Sequence, residues 1–176
     1  MPQPLHILLT GEIGAGKSTL ARRLLAHSER PLYGFATLRQ PPDADNIACT
    51  CIYPVNAAER ICSEENTVGF HADKAPTAFP AVFDSLGVAL LQAPKEGLLL
   101  MDELGFYESA AIRFQQEVLR ALDGDTPVLA VVKQRETPFL DEVRAHKNAR
   151  LFTVTAEARD ALYEELLPLV LQWNTY

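Results

Sequence analysis

Short apolar segments alternate along the chain with longer segments whose apolar residues recur at helical spacing. Residues 5–10 form the first apolar run, and residues 18–27 place leucines on one helical face and arginines on another. Further apolar runs predict strands at residues 32–37, 97–101, 127–132 and 150–154. Helical spacing predicts helices at residues 82–93, at 109–122 after a Ser109 cap, from Thr137-Pro138 onward, and at 155–172 after a Thr155 cap. This alternation predicts a three-layer α/β fold, with a mostly parallel central sheet between helices on both faces.

Residues 39–71 depart from this alternation. Pro41-Pro42-Asp43 and Asp45-Asn46 indicate turns, and strand-like alternation follows in residues 47–55, 59–62 and 67–71. We therefore expect a small antiparallel hairpin region inserted into the fold. Since the sequence has no internal repeat and no low-complexity tract, it predicts a single domain over residues 1–176.

Composition narrows the class of protein without naming a function. The chain has 176 residues, of which 48% are hydrophobic and 22% charged, as in an ordinary globular protein. Its net charge of −7 argues against a general nucleic-acid-binding surface. No apolar stretch is long enough for a membrane span or a signal peptide, so the expected location is cytoplasmic. Three cysteines in such a protein are expected to be free thiols.

The segment between the first predicted strand and the first predicted helix matches G-x-x-x-x-G-K-[ST], the pattern of a phosphate-binding loop. Its glycines let backbone N–H groups turn toward a phosphate, and the start of the helix adds its positive dipole. Lys17 supplies a charge to the β- and γ-phosphates, and the Ser18 hydroxyl can ligate Mg²⁺. The predicted nucleotide-binding residues are Gly11, Glu12, Ile13, Gly14, Ala15, Gly16, Lys17, Ser18 and Thr19.

Two acids, Asp102 and Glu103, end the apolar run at residues 97–101. In a parallel sheet such a strand carries them to the edge where the phosphate loop also lies. Asp102 would then hold Mg²⁺ through its water shell, and Glu103 would orient and deprotonate an attacking water. The alternative is that the two acids only begin a solvent-exposed loop. Their pairing with the phosphate loop favours the catalytic interpretation.

Three more segments follow in a recognisable order: Gly34-Phe35-Ala36-Thr37-Leu38-Arg39, Asp102-Glu103-Leu104-Gly105-Phe106-Tyr107-Glu108 and Val154-Thr155-Ala156-Glu157-Ala158-Arg159. Together with the phosphate loop they resemble the small nucleoside-triphosphatase family first known from thermophiles, which has a human cancer-related member. The resemblance covers nearly the whole chain. It implies a RecA-like P-loop fold and slow, Mg²⁺-dependent hydrolysis of the β–γ phosphoanhydride of ATP, GTP and other nucleoside triphosphates.

The sequence departs from the family pattern at several places. Phe106-Tyr107 replaces the usual Lys-Met pair, so a positive charge is missing, and Lys133 is a hypothetical replacement. Residues 41–46 interrupt the hairpin that usually follows the arginine, and Ala158 stands where the family has Asn. Arg39 is either an internal arginine finger at the γ-phosphate or a surface arginine that ends a strand.

Two further questions stay open at this point. Cys49, Cys51 and Cys62 could join His71 in a Cys₃His zinc site, although buried free cysteines are common. The predicted catalytic residues are Lys17, Glu103 and Arg39. They suit a hydrolase best, but a nucleotide or small-molecule kinase, or a nucleotide-dependent switch with little turnover, would use the same phosphate loop. The sequence lacks the Asn-Lys-x-Asp segment with which many GTPases read guanine, so it names neither a preferred base nor a protein partner.

Overall fold

A computed structural model of the chain describes residues 5–72 and 76–175, and its centre is an eight-stranded sheet. The strands are β1 (His6–Thr10), β2 (Leu32–Arg39), β3 (Ala48–Pro54), β4 (Thr67–His71), β5 (Pro76–Ala78), β6 (Leu98–Leu104), β7 (Val128–Val132) and β8 (Ala149–Thr153). Their spatial order is β5-β4-β3-β2-β6-β7-β1-β8. The strands from β2 to β8 in this order are parallel, whereas β3, β4 and β5 pair antiparallel. The mostly parallel sheet is therefore confirmed.

Helices cover both faces of the sheet. They are α1 (Lys17–Leu25), α2 (Pro80–Val82), α3 (Val88–Leu90), α4 (Ile112–Asp123), α5 (Pro138–Arg144) and α6 (Arg159–Trp173), with a π-helical turn at Phe83–Gly87 and a 3-10 turn at Tyr107–Ala110. The apolar sides of α1 and α6 form one core with one face of the sheet, and α4 and α5 form the other core with the opposite face. Because β1 and β7 are covered on both sides, all their residues are buried, and all except His6 and Thr10 are apolar. The predicted three-layer α/β fold is confirmed.

The inserted region differs from its prediction in two ways. It continues the central sheet as β3, β4 and β5, and it reaches Ala78 and not only residue 71. Residues 59–62 form no strand. Asn66 explains this, because its side-chain amide donates to the Ile61 carbonyl and its amide oxygen accepts from the Ser63 N–H. These bonds hold the segment in a turn, where no strand partner reaches it.

The predicted helix boundaries at Ser109, Thr155 and residue 93 were wrong, whereas the predicted cap at Thr137 was right. Ser109 lies in the 3-10 turn before α4, with its hydroxyl bonded to the Phe106 carbonyl. Thr155 accepts from the Ala158 N–H in a turn, and α6 begins only at Arg159. The helix expected to reach residue 93 ends at Leu90, because residue 93 precedes a proline. Thr137 caps α5 as predicted, accepting from the Leu140 N–H at 3.2 Å.

None of the helices in the described part of the chain combines the length and apolar character that crossing a bilayer requires. Residues 1–4 and 176 of the predicted 1–176 domain lie outside the described residues, as do 73–75.

Candidate nucleotide-binding and catalytic site

The phosphate-binding loop joins β1 to α1 and is folded around a lysine. Gly11 has a φ of 143°, and a Cβ there would overlap the Val154 carbonyl oxygen. Gly16 has a φ of 90° and precedes the first residue of α1. The Lys17 ammonium donates to the Gly11 carbonyl at 2.8 Å and to the Glu12 carbonyl at 2.7 Å, with only 8% of the residue exposed. The loop thus holds the Lys17 ammonium beside the N-terminus of α1.

A serine and an aspartate meet beside this loop. The Ser18 hydroxyl donates to Asp102 Oδ1 at 2.7 Å, so the acidic end of β6 lies against the first turn of α1. Asp102 is 4% exposed, and Arg22 Nη2 lies 3.7 Å from its Oδ2. A hydroxyl and a carboxylate side by side are the oxygen ligands that Mg²⁺ prefers. The residues therefore fit the predicted metal, and Lys17 and Asp102 lie at the same edge of the sheet.

Glu103 lies where the register between β6 and β7 shifts, lines the same cleft as the phosphate loop, and is held on two sides. Its Oε1 lies 3.0 Å from Lys133 Nζ, which follows β7. Its backbone N–H donates to Thr37 Oγ1 at 3.2 Å, and the Thr37 hydroxyl donates to its carbonyl oxygen at 3.1 Å. β2 and β7 flank β6 in the sheet, so Thr37 from one side holds the Glu103 backbone and Lys133 from the other side holds its carboxylate. Lys133 was only a hypothesis in the sequence, and the fold brings its charge to Glu103.

Glu108, in the 3-10 turn after β6, is a buried acid. It is 2% exposed, and its Oε1 accepts the Gly105 N–H. Desolvation by burial is the main cause that raises the pKa of Glu108 to about 7, while the Gly105 N–H and the Lys133 charge lower it and the Glu103 charge raises it further. The carboxyl closes the turn after β6 and so supports the position of Glu103. It pairs with neither Lys133 nor Arg135 in an ion pair of the described residues.

Glu108→Gln should flatten the pH dependence of stability. The folded chain raises the pKa of Glu108, so its contribution to stability is complete below the ordinary pKa of 4.5 and is lost as the pH rises through about 7. One pKa unit corresponds to about 1.4 kcal/mol, which is about 2–4 °C in Tm for a chain of this size. Between about pH 5 and pH 8 the parent Tm should therefore fall by several degrees relative to that of the variant.

Scanning calorimetry across that pH range checks this expectation. Glu142→Gln, on the exposed side of α5, is the matched control and should follow the parent chain. Parallel Tm curves for the parent and Glu108→Gln would contradict the assignment.

These groups open into one cleft of about 1100 Å³. Every residue predicted for the phosphate loop lines it except Ala15, and so do Thr37, Glu103, Glu108 and Lys133. Arg39, exposed at the end of β2, also lines the cleft. Arg135 lies on its rim with its guanidinium 4.8 Å from the Phe106 ring centre. Asp102 is reached from the side of α1, where it borders a second cavity.

Sequence reasoning named Thr37 and Arg159 only as parts of motifs and gave them no role. Arg159 begins α6, and its guanidinium is the first group that a side chain at Gly16 would meet. Its Nε is buried and without a hydrogen-bond partner among the described residues. A cation beside the phosphate loop with an unused donor is suited to a polyphosphate. The arginine in the Val154–Arg159 segment was the signal, but no spacing rule links it to residue 16.

The cysteines correct a further expectation. Cys51 and Cys62 are joined by a disulfide in the structure, which differs from the expectation of three free thiols, and Cys49 is a free thiol. The three sulfur atoms lie within 4.8 Å of one another, and His71 does not belong to this group in the part of the chain that is described. The predicted Cys₃His set therefore lacks its fourth ligand here.

Comparison with known proteins agrees with this geometry. A protein-family model described as NTPase matches residues 6–167. The chain belongs to this NTPase family. A nucleoside-triphosphatase THEP1 from Thermotoga sp. (strain RQ2) is 24% identical over 172 residues, which cover 97% of each chain. The family resemblance predicted from the motifs is thereby confirmed.

Two solved structures share the fold of this NTPase. The crystal structure of THEP1 from Aquifex aeolicus has a TM-score of 0.71 at 23% identity, covering 94% of this chain and 98% of that one. The solution structure of a human cancer-related nucleoside triphosphatase has a TM-score of 0.63 at 22% identity, covering 95% and 97%. They confirm the P-loop NTPase fold.

Proposed function

We propose that this NTPase is a metal-dependent phosphohydrolase that cleaves the β–γ phosphoanhydride of nucleoside triphosphates. The observation that carries the proposal is the meeting of the phosphate loop with the two acids of β6, through the 2.7 Å hydrogen bond from Ser18 to Asp102. A relative that matches 97% of this chain is named nucleoside-triphosphatase THEP1, and this name supports the proposal.

Binding would rest on the loop and its lysine. Backbone N–H groups of the loop and the start of α1 attract the phosphates. In a complex the Lys17 ammonium, now bonded to the carbonyls of Gly11 and Glu12, exchanges part of this bonding for phosphate oxygens. Arg159 adds a second positive charge from α6, close to Gly16. Charges held in a partly dry loop act more strongly than in water and need no reorganisation during the reaction.

Ser18 and Asp102 would hold Mg²⁺. The metal, when bound, neutralises the charge of the β- and γ-phosphates. The chain contributes the Ser18 hydroxyl and the Asp102 carboxylate, already paired at 2.7 Å. Arg22, 3.7 Å from Asp102, balances the charge of that carboxylate in the free protein.

Glu103 would activate the water. A carboxylate in the cleft can accept a proton from a water molecule. As it does so, the water oxygen bonds to the γ-phosphorus, and the bond from that phosphorus to the bridging oxygen breaks. Lys133 and Thr37 fix the direction of the carboxylate, by an ion pair of 3.0 Å and by the hydrogen bonds to its backbone. Lys133 also supplies the positive charge that Phe106 does not.

Phosphate release under defined conditions tests the proposal. The protein is incubated with Mg²⁺ and each nucleoside triphosphate, with a chelator in a parallel series, and with and without nucleotide or small-molecule acceptors. Release of phosphate without an acceptor, stopped by the chelator, is the expected result. Formation of nucleoside diphosphate only when an acceptor is present would indicate a kinase, and binding without release would indicate a nucleotide-dependent switch.

Arg39→Ala should reduce kcat by about 10- to 100-fold. Arg39 lines the cleft from the end of β2, and one charge-assisted hydrogen bond to the γ-phosphate is worth about 1.5–3 kcal/mol. Steady-state kinetics measure the change. Arg113→Ala, an exposed arginine on α4, is the control and should leave kcat unchanged. An unchanged kcat for Arg39→Ala would make it a surface arginine, and a loss of about 10³-fold or more would make it an essential finger.

A further inference from the structure

The three cysteines form a sulfur cluster that the proposed hydrolysis does not use. Cys49 and Cys51 are two positions apart in β3, so both side chains lie on the same face of the sheet. Cys62 reaches this face from the segment between β3 and β4. All three Sγ atoms lie within 4.8 Å of one another, although Cys62 is 11 residues from Cys51 along the chain.

We propose that this cluster is a thiol–disulfide exchange site in which the Cys62 sulfur is shared between Cys51 and Cys49. Cys62 is bonded to Cys51, with their Cα atoms 5.9 Å apart, well inside the range of disulfides. The Cys49 sulfur is in contact with the same Cys62 sulfur at 3.4 Å. Cys49 is partly exposed, so a base or a small thiol can reach it, whereas Cys51 is buried.

The exchange balances without an outside oxidant. The Cys49 thiol loses a proton and its thiolate attacks Cys62 Sγ. The Cys49–Cys62 bond forms as the Cys51–Cys62 bond breaks, and Cys51 leaves with the electron pair and takes up a proton. A low-molecular-weight disulfide such as oxidised glutathione forms either bond from the dithiol, and two molecules of its thiol form are released. An excess of that thiol reverses the reaction.

Exchange fits the cluster better than a metal does. A structural zinc site is four-coordinate, and the cluster offers three ligands among the described residues. The Thr67 hydroxyl, 3.5 Å from Cys51 Sγ, is itself bonded to the Ser63 carbonyl at 2.6 Å. It therefore adds no anionic ligand.

The disulfide closes a loop that reaches the cavity beside the candidate metal ligand Asp102. The Cys51–Cys62 bond closes a loop that contains Val55 and Arg60. These two residues line a cavity of about 370 Å³ that Arg22 and Asp102 also line. The Cys51–Cys62 bond therefore places Arg60, which shares this cavity with Asp102, inside a closed loop.

Tryptic mapping without reductant tests the exchange directly. Cleavage at Arg39, Arg60 and Lys74 places Cys49 and Cys51 in one peptide and Cys62 in the next. The full chain is equilibrated with oxidised and reduced glutathione, its thiols are trapped with N-ethylmaleimide, and the peptides are identified by mass spectrometry. We expect the two peptides to be linked, with one N-ethylmaleimide per linked pair. Fragment spectra should contain both Cys51–Cys62 and Cys49–Cys62 isomers. Wholly separate peptides, or a Cys51–Cys62 link alone, would overturn the proposal.

Single serine variants separate the two bonds. Cys49→Ser should give only Cys51–Cys62, Cys51→Ser should give Cys49–Cys62 at the same glutathione ratio, and Cys62→Ser should give unlinked peptides. Circular dichroism spectra identify any variant that does not fold. For such a variant, the presence or absence of both disulfide isomers in the parent chain decides whether exchange occurs. Separate peptides from a folded Cys51→Ser variant would count against exchange. One zinc per chain in the reduced protein, with all three thiols protected from N-ethylmaleimide, would show that the cluster is a metal site and not an exchange site.

Discussion

Lys17→Ala should lower kcat/KM for nucleoside triphosphates by about 10³-fold. Removing one preorganised donor to developing charge costs about 10²–10³ in kcat, and the loss of a buried charge from the phosphate loop weakens binding as well. The ammonium is held at the loop by the Gly11 and Glu12 carbonyls, and the residue is only 8% exposed, so its charge is fixed at the loop. Phosphate release and calorimetric titration with the triphosphate measure the two losses separately.

A second lysine provides the control for this variant. Lys147 is a surface residue whose ammonium lies 3.9 Å from Asp123, far along the chain from the phosphate loop. Lys147→Ala removes the same charge and should keep kcat/KM within about twofold, since exposed ion pairs contribute little. Lys17 also bonds the loop to itself. A drop in Tm with normal nucleotide affinity for Lys17→Ala would therefore make it a structural residue only.

Glu103→Gln should lower kcat by about 10²–10⁴-fold and leave KM nearly unchanged. Glutamine keeps the size of the side chain and can still face Lys133, but it cannot accept the proton of the water. The effect should therefore appear in the chemical step and not in binding. Single-turnover phosphate release at saturating nucleotide, combined with calorimetric titration, distinguishes the two.

Glu108 is the main alternative to Glu103 as the general base that accepts the proton of the water. Its pKa of about 7 suits proton transfer at neutral pH, whereas its Oε1 is occupied by the Gly105 N–H and the side chain is buried. If Glu108→Gln lost 10²–10⁴-fold in kcat while Glu103→Gln stayed near the parent value, Glu108 would be the base and Glu103 its neighbour. Glu142→Gln should match the parent chain in both measurements.

Local patterns predicted most of the fold because strands and helices here have strong periodicities. β1, β6 and β7 each contain a continuous apolar run, at residues 7–9, 98–101 and 128–132, and such runs are buried wherever both faces of a sheet are covered. The errors at residues 59–62, at Ser109 and at Thr155 fall at positions that side-chain hydrogen bonds decide. Asn66 keeps residues 59–62 out of the sheet by bonds to Ile61 and Ser63 that no periodicity encodes.

The part of the candidate site that could be predicted is the part whose residues all lie in one motif. The phosphate loop is such a motif, because its glycines, lysine and serine are consecutive and each has a backbone or ligand role. Thr37, Lys133 and Arg159 lie on three other elements, and their distance from the loop along the chain carries no signal. Their contacts with Glu103 and Gly16 depend on which strands are neighbours and on where α6 packs.

The sequence by itself determined the phosphate loop, the acids that follow an apolar strand and the alternation of strands and helices, since each depends on residues close together in the chain. Tertiary structure alone decided that β2 and β7 flank β6, so that Thr37 and Lys133 hold Glu103. It also decided that Cys62 bonds Cys51 within reach of Cys49. Such long-range pairings arise from the packing of the whole core, which minimises exposed apolar surface over all elements together and is not fixed by any one segment.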